Sequence, residues 1–292
     1  MAVLVDLGTR VLCQGMTGRA GTYHTGRAIA YGTRVVAGVT PGKGGTRHLD
    51  LPVFDTVAEA VAETGANASM IFVPAPSAAA AMIEAIEAEI PLVVCVTERV
   101  PVLDMVRVRH ALAGSKTRLV GPNSQGVLAP GVCKIGVMGT VHARPGGIGI
   151  ASRTASLTSE IAANLSAVGL GQSTTIGIGG DPVHGIGFVD CLKLFMADEA
   201  TEGVILIGEI GGSEEEQAAE YLRAEKPSKP VVALVAGRHA PPQRRMGHAG
   251  TLTIFGRGDA ASKIEALRQA GAIIAPDAHH VADAMREALG RR

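Results

Sequence analysis

The sequence predicts an α/β protein built on doubly wound parallel sheets. Short apolar runs rich in Val, Ile and Leu recur along the chain, each followed by a stretch long enough for a helix. Those runs end in glycine or proline turns, and the 292 residues include 38 Gly and 15 Pro. Aromatic residues make up 3% of the chain and Trp is absent, so the layers must pack through aliphatic side chains and alanine. At 47% hydrophobic and 18% charged, the chain has ample material for a core, in one large or two ordinary domains.

The same numbers exclude several classes. A formal net charge of zero gives no electrostatic case for nucleic acid or an anionic membrane. No apolar run approaches the roughly 18 residues of a transmembrane helix. Met1-Ala2-Val3-Leu4-Val5-Asp6 lacks the basic start of an export signal. Cys13, Cys95, Cys133 and Cys191 are widely spaced, with no CxxC pair for metal or redox work. They read as buried free thiols of a cytoplasmic protein, and no metal site is expected.

Residues 10–13 form a short buried strand that enters Gln14-Gly15-Met16-Thr17-Gly18-Arg19-Ala20-Gly21, with a helix expected near 22–31. Strand, glycine turn and helix N-terminus make an anion cradle, because backbone N–H groups and the helix dipole face the ligand. The glycine spacing is GxxGxxG rather than GxGxxG, and a turn kept merely for packing is the rival reading. The strand at 34–39 ends without the acidic residue an NAD ribose needs. It continues Thr40-Pro41-Gly42-Lys43-Gly44, where Lys43 suits a phosphorylated ribose. NADP or coenzyme A therefore outranks NAD, with a solvated loop lysine as the alternative.

Strands follow at 69–73, 92–96 and 118–120, with an Ala-rich helix through about residue 88 and another after Pro101. Thr97-Glu98 would join the glycine turn and Lys43 at the carboxyl ends of the strands, where such sheets bind ligands. The next turn is Gly121-Pro122-Asn123-Ser124-Gln125-Gly126. Gly and Pro then cluster without helical period, which places a boundary near 126, with domains at 1–126 and 127–292.

The strand at 147–151 leads into Ser152-Arg153-Thr154-Ala155-Ser156-Leu157-Thr158, a second strand–helix junction. Its hydroxyls are either N-caps or parts of a phosphate site. Strands at 174–178, 204–207 and 230–235 continue the alternation. Ser213 with Glu216 reads as a capping box, and helices are expected at 260–270 and 278–289. Glu209 ends a strand between glycines, where its carboxylate would face a crevice. Beyond the next strand comes Gly247-His248-Ala249-Gly250. A neutral imidazole is a competent phosphorus nucleophile near pH 7, and a carboxylate such as Glu209 would fix its tautomer. The alternative is a loop histidine without duty.

Taken together, the chain resembles the α subunit of succinyl-CoA synthetase, of the ADP/GDP-forming acid–CoA ligase family that includes malate–CoA ligase. The resemblance runs end to end, through Gln14-Gly15-Met16-Thr17-Gly18, the Gly38–Gly45 loop, Gly121-Pro122-Asn123, Cys133-Lys134-Ile135-Gly136, Gly177–Pro182, Gly208-Glu209-Ile210-Gly211-Gly212 and Gly247–Gly250. It implies an N-terminal Rossmann-like CoA-binding domain followed by a flavodoxin-like doubly wound ligase domain. CoA would lie on Thr17, Gly18, Arg19, Ala20, Lys43, Val96, Thr97 and Glu98. His248 would be phosphorylated beside Glu209, and phosphate and acid would meet Asn123, Ser124, Ala155, Ser156, Thr158 and Ser159. The resemblance also implies an ATP-grasp β subunit that binds ATP or GTP and Mg, in an αβ or α2β2 assembly.

Three departures cluster near the acid. The family's Ser-Gly-Thr-Leu-Thr-Tyr-Glu reads Thr154-Ala155-Ser156-Leu157-Thr158-Ser159-Glu160 here, so a ring becomes Ser159 and a glycine becomes Ala155. Its Gly-Pro-Asn-Cys-Pro-Gly reads Gly121-Pro122-Asn123-Ser124-Gln125-Gly126. Succinate or a related dicarboxylate is expected, with malate or a sulfonated acid as alternatives. An NADP-dependent oxidoreductase and a non-catalytic CoA-binding regulator are the competing classes.

Overall fold

The computed structural model describes residues 2–240 and 258–291. His248 lies outside the described residues. The chain divides into two compact units, one of residues 4–138 with 183–185 and one of 1–3, 139–182 and 186–292.

The first unit runs β1 (Val11–Gln14), α1 (Arg19–Tyr31), β2 (Val35–Val39), β3 (Arg47–His48), β4 (Leu51–Phe54), α2 (Val57–Thr64), β5 (Ala68–Ile71), α3 (Ala75–Glu87), β6 (Leu92–Cys95), α4 (Val102–Leu112), β7 (Arg118–Val120), β8 (Gly126–Ala129) and β9 (Cys133–Gly136). Its sheet has the order β3-β4-β2-β1-β5-β6-β7, parallel except for the β3–β4 pair. Strands β1, β5 and β6 are buried at every position, as expected of parallel strands covered on both faces. The chain leaves β1 to one side for β2 and returns on the other for β5. That reversal opens a crevice at the carboxyl end of β1.

Helix α1 begins at Arg19, three residues before the expected 22. Gly15 adopts φ +81°, which turns the chain tightly enough for Gly18 to serve as N-cap and for Thr22 N–H to reach Gly18 O at 2.8 Å. The β3–β4 hairpin and α2 went unpredicted, although Thr56 and Glu59 form a reciprocal capping box at the start of α2. The antiparallel β8–β9 hairpin spans residues 126–136, within the 4–138 stretch. It is tied to the turn that follows α1, since Thr33 Oγ1 donates to Lys134 O at 3.0 Å and accepts from Lys134 N–H at 2.9 Å. Lys134 itself is buried. Its Nζ donates to Gly136 O at 2.9 Å, and burial with the nearby Arg27 pulls its pKa down to about 8.

The second unit runs β10 (Pro145–Ser152), α5 (Ala155–Ala167), β11 (Gln172–Gly177), α6 (Phe188–Ala197), β12 (Gly203–Glu209), α7 (Glu214–Glu225), β13 (Val231–Ala236), α8 (Ala260–Gln269), β14 (Ile273–Ile274) and α9 (His280–Ala288). Its parallel strands lie in the order β14-β13-β12-β10-β11, so the winding reverses at β10 and a second crevice opens there. Helix α6 was not expected; it buries Phe188 and Phe195 completely. The expected capping box at α7 does not form. Ser213 makes no side-chain cap bond and accepts instead from Gln217 Nε2, while Glu216 reaches Lys263 at 3.2 Å.

All four cysteines are buried free thiols. Burial pushes Cys13 up to about 12 and Cys133 up to about 11, and raises Cys191 as well. None of these three is a thiolate at neutral pH. Among the described residues no cluster of His, Cys, Asp or Glu could hold a metal ion, and no helix is long and apolar enough to cross a membrane.

Candidate active site

In the first unit the β1–α1 turn is shaped by glycine. Gly15 N–H donates to Val39 O at 2.8 Å, which pins the turn to the end of β2. A Cβ on Gly21 would lie 2.1 Å from Gly15 O, so only glycine lets α1 start this close to the strand. No side chain caps α1, and its first N–H groups face the turn. Gly18, Arg19 and Ala20 are exposed there, and Thr17 is half-buried with Oγ1 3.3 Å from Thr40 Oγ1.

Beside the turn lies a cavity of about 600 Å³, a size that suits a nucleotide-like ligand. Gly15, Thr17, Gly18, Thr40, Phe72 and Pro74 line it, together with Gln14 and Glu84. Gln14 is fixed on both ends, accepting from Ser69 Oγ at 2.7 Å and donating to Ala81 O at 2.9 Å. Glu84 is held by Val57 N–H at 2.8 Å. His24 stacks flat on Phe72 with ring centroids 5.2 Å apart; burial, then the charge of Lys134, lowers its pKa and favours the neutral ring.

Lys43 is exposed on its loop, where Gly44 N–H donates to Asp55 Oδ1 and Thr46 Oγ1 donates to Lys43 O. Its ammonium is therefore carried on an ordered loop. Val96 and Thr97 are half-buried past β6, with Thr97 Oγ1 donating to Val73 O at 2.7 Å, and Glu98 is exposed. The turn after β7 carries a cis Gly121–Pro122 bond, and Asn123 N–H donates to Thr97 O at 2.9 Å. Ser124 is buried, with Oγ accepting from Gly126 N–H at 2.8 Å. Asn123 and Thr97 thus belong to one hydrogen-bonded pair of turns.

In the second unit α5 follows β10 at the winding reversal. Thr154 is its N-cap residue but makes no cap bond with its side chain, and Ala155 and Ser156 are exposed. The first N–H groups of α5 therefore form a bare helix start, suited to an anion. Thr158 differs. It is buried, its Oγ1 donates to Thr154 O at 2.6 Å, and it lies 2.7 Å from Ser152 Oγ, so its hydroxyl braces the junction. Ser159 is exposed with Oγ donating back to Ala155 O at 3.3 Å.

Glu209, the last residue of β12, is buried at 4% exposure rather than open to a crevice. It stands in register with Ala236 at the end of β13, the strand that precedes the His248 segment. It is buried beside Arg153, a residue given no role from sequence. The guanidinium lies 3.4 Å from Glu209 Oε1 and donates from Nη1 to Glu215 Oε1 and to Gly211 O, each at 2.9 Å. Burial opposes its charge, but the Glu215 and Glu209 carboxylates outweigh that cost and raise its pKa further. Glu215 also accepts Glu209 N–H at 2.9 Å and pairs with the fully buried Lys263. The one available signal was charge in unusual places: an arginine inside a strand–helix junction and a lysine on the apolar stripe of α8.

Residues 6–99 match the CoA binding domain family and residues 151–273 match the CoA-ligase family. The chain is 53% identical over 276 residues to the succinate–CoA ligase (ADP-forming) α subunit of Aquifex aeolicus, covering 94% of this chain and 90% of that one. It is 50% identical over 289 residues to α subunit 2 of the same enzyme from Archaeoglobus fulgidus, covering 99% and 100%. In fold it is similar to the ATP citrate lyase of Methanosaeta concilii, solved with (3S)-citryl-CoA, at a TM-score of 0.88 and 24% identity over 99% of this chain and 50% of that one. Such identities over nearly the whole length, added to a matched pair of domains in the same order, make this chain a member of the succinate–CoA ligase α-subunit family.

Proposed function

We propose that the chain is the α subunit of an NDP-forming carboxylic acid–CoA ligase, which joins acid and CoA at the expense of NTP and releases NDP and phosphate. The observation that carries this reading is identity of about half the residues, over nearly all of both chains, to succinate–CoA ligase α subunits. Succinate or a related dicarboxylate is the proposed acid.

In this reading residues 1–126 bind CoA and residues 127–292 carry the phosphoryl chemistry. The bare start of α1, with Thr17, Gly18, Arg19 and Ala20, takes the CoA pyrophosphate, and the glycine contact at Gly21 supports that role. Lys43 meets a ribose phosphate, and Val96, Thr97 and Glu98 border the thiol-bearing arm. His248 attacks the terminal phosphorus of NTP and NDP leaves. The acid's carboxylate then takes the phosphoryl group from His248 as an acyl phosphate, and the CoA thiolate displaces phosphate to give the thioester. Glu209 accepts the hydrogen bond of the ring nitrogen that keeps its proton, and so stabilises the charge that grows on the imidazole. Ala155 and Ser156 present the N–H groups of α5 to phosphate, Thr158 braces that turn, and Asn123 and Ser124 border the acid.

The nucleotide and Mg belong to an ATP-grasp β subunit in an αβ or α2β2 assembly, and the enzyme is cytoplasmic. Ser159 is exposed where the family carries a ring, which favours an acid bulkier or more polar than succinate, such as malate or a sulfonated acid. The test is reconstitution with the β subunit and γ-labelled ATP. An acid-labile, base-stable label must form on this chain and vanish in His248→Ala. A wild type that binds CoA but takes no label is a non-catalytic regulator, and displacement of CoA by NADP would point to the oxidoreductase. An acid screen scored by NDP release identifies the substrate.

A further inference from the structure

The cavity of the first unit joins two kinds of surface. Gly15, Thr17 and Gly18 line it from the β1–α1 turn, where the first N–H groups of α1 suit a phosphate. Val39, Pro41, Val73, Pro74 and Ala80 add apolar surface that suits a flat ring. Among the described residues that line the cavity, Glu84 has the one acidic side chain, and no basic side chain lines it. A carboxylate accepts hydrogen bonds and repels phosphate oxygens. The part of a ligand that meets Glu84 must therefore offer N–H groups rather than phosphate.

The carboxylate is anchored but not used up. Oε1 accepts Val57 N–H at 2.8 Å, at the first residue of α2, where the helix dipole favours negative charge. Thr56 and Glu59 already close the capping box of α2, so that helix start does not depend on Glu84 for its cap. Oε2 lies 3.4 Å from Gln14 Nε2, longer than the roughly 2.7–3.2 Å of an ordinary N–H to oxygen bond. Gln14 is committed elsewhere, since Nε2 donates to Ala81 O at 2.9 Å and Oε1 accepts from Ser69 Oγ at 2.7 Å. A carboxylate offers about four acceptor positions, so Oε2 keeps capacity for a donor that enters the cavity.

We infer that Glu84 is a specificity-determining residue for the coenzyme: its Oε2 accepts the 6-amino group of the CoA adenine, while the phosphates lie toward the start of α1. The inference deepens the placement of CoA on this unit proposed above and rests on it. Adenine carries an N–H donor at C6. Hypoxanthine carries an acceptor oxygen there, which would set oxygen against oxygen. The site therefore selects a 6-aminopurine and rejects its 6-oxo counterpart. Glu84→Gln reverses this preference with the shape retained. Val57 N–H needs an acceptor, so the new amide oxygen takes the place of Oε1 and its nitrogen the place of Oε2, where it donates to a 6-oxo group.

The experiment titrates the reconstituted αβ enzyme by calorimetry with CoA and with its deaminated analogue, in which hypoxanthine replaces adenine. Wild type should bind CoA roughly 10- to 100-fold more tightly, the cost of leaving buried acceptors opposed and unpaired. In Glu84→Gln that preference should fall at least about fivefold, with CoA itself weakened, whereas a merely bracing role would weaken both ligands alike and leave the ratio unmoved. Equal binding of the two ligands by wild type, or an unchanged ratio in Glu84→Gln, overturns the inference and leaves CoA binding on this unit intact. If Glu84→Gln shows no folding transition, the crystal structure of the wild-type CoA complex decides. Adenine N6 within about 3.2 Å of a Glu84 oxygen supports the inference, and a longer separation overturns it. A wild type that binds neither ligand overturns the inference together with the coenzyme placement it rests on.

Discussion

The sharpest consequence of the β1–α1 turn is the behaviour of Gly21→Ala. The added Cβ would lie 2.1 Å from Gly15 O, 2.8 Å from Gly15 C and 2.9 Å from Met16 Cα. All three are backbone atoms, so no rotamer relieves the clash. Ordinary contact begins at 3.4 Å, and the helix start and the turn must therefore part by about 1.3 Å. Hydrogen bonds from N–H to oxygen tolerate a window of only about 0.5 Å. At least one backbone bond to a pyrophosphate oxygen is then lost, at about 1.5–3 kcal/mol for a charged acceptor. That corresponds to roughly 10- to 150-fold weaker CoA binding. Overpacking adds about 1–3 kcal/mol of destabilisation. Titration calorimetry of CoA measures the first and thermal melting the second. Gly26→Ala is the control: it lies mid-helix in α1 with nothing within 4 Å of the new methyl, and should be neutral or slightly stabilising. Native CoA affinity in Gly21→Ala would refute the assignment of this turn to the ligand.

Thr56→Ala removes the capping box of α2 and should lower stability by about 1 kcal/mol in chemical denaturation, with CoA affinity unchanged. Phe195→Ala empties a fully buried site in the second unit and should cost about 3–5 kcal/mol, read by the same method. With Cys13, Cys133 and Cys191 held as thiols by burial, a disulfide reagent at pH 8 should label none of these three at a measurable rate until denaturant is added. Lys134 titrates near 8 when folded and at 10.5 in its ordinary state, so the unfolded chain binds the extra proton between those values. Its penalty is complete below pH 8 and fades as pH rises toward 10.5; Tm measured from pH 8 to 10 should carry this upward contribution, and Lys134→Met should lack it.

Much of the architecture is written in local patterns. Short apolar runs mark β1, β2, β5, β6, β10, β12 and β13, because parallel strands are apolar on both faces and announce themselves without periodicity. The elements that escaped are short or depend on partners. The two-residue β3 exists through its pairing with β4, and the β8–β9 hairpin through the pairing of its own strands and the anchor of Thr33 beyond α1. Helix α6 hides because a run such as Phe188-Val189-Asp190-Cys191-Leu192 reads equally as a buried strand. In the candidate site, residues that act through backbone and turns, such as Gly15, Gly18 and Ala155, are visible in sequence. Those that act through long-range charge are not. Arg153 meets Glu215 across 62 residues and Lys263 meets it across 48, and no spacing rule links them.

The register of β12 against β13 carries a last consequence, for the durability of the place where Glu209 stands. Ile210 N–H bonds Ala236 O at 3.2 Å, and Gly211 N–H bonds Gly258 O at 2.7 Å. Both bonds are made by main-chain groups, which every non-proline residue carries. The turn directly after Glu209 is therefore fixed by contacts that side-chain variation at positions 210, 211, 236 and 258 does not by itself erase, proline at 210 or 211 excepted.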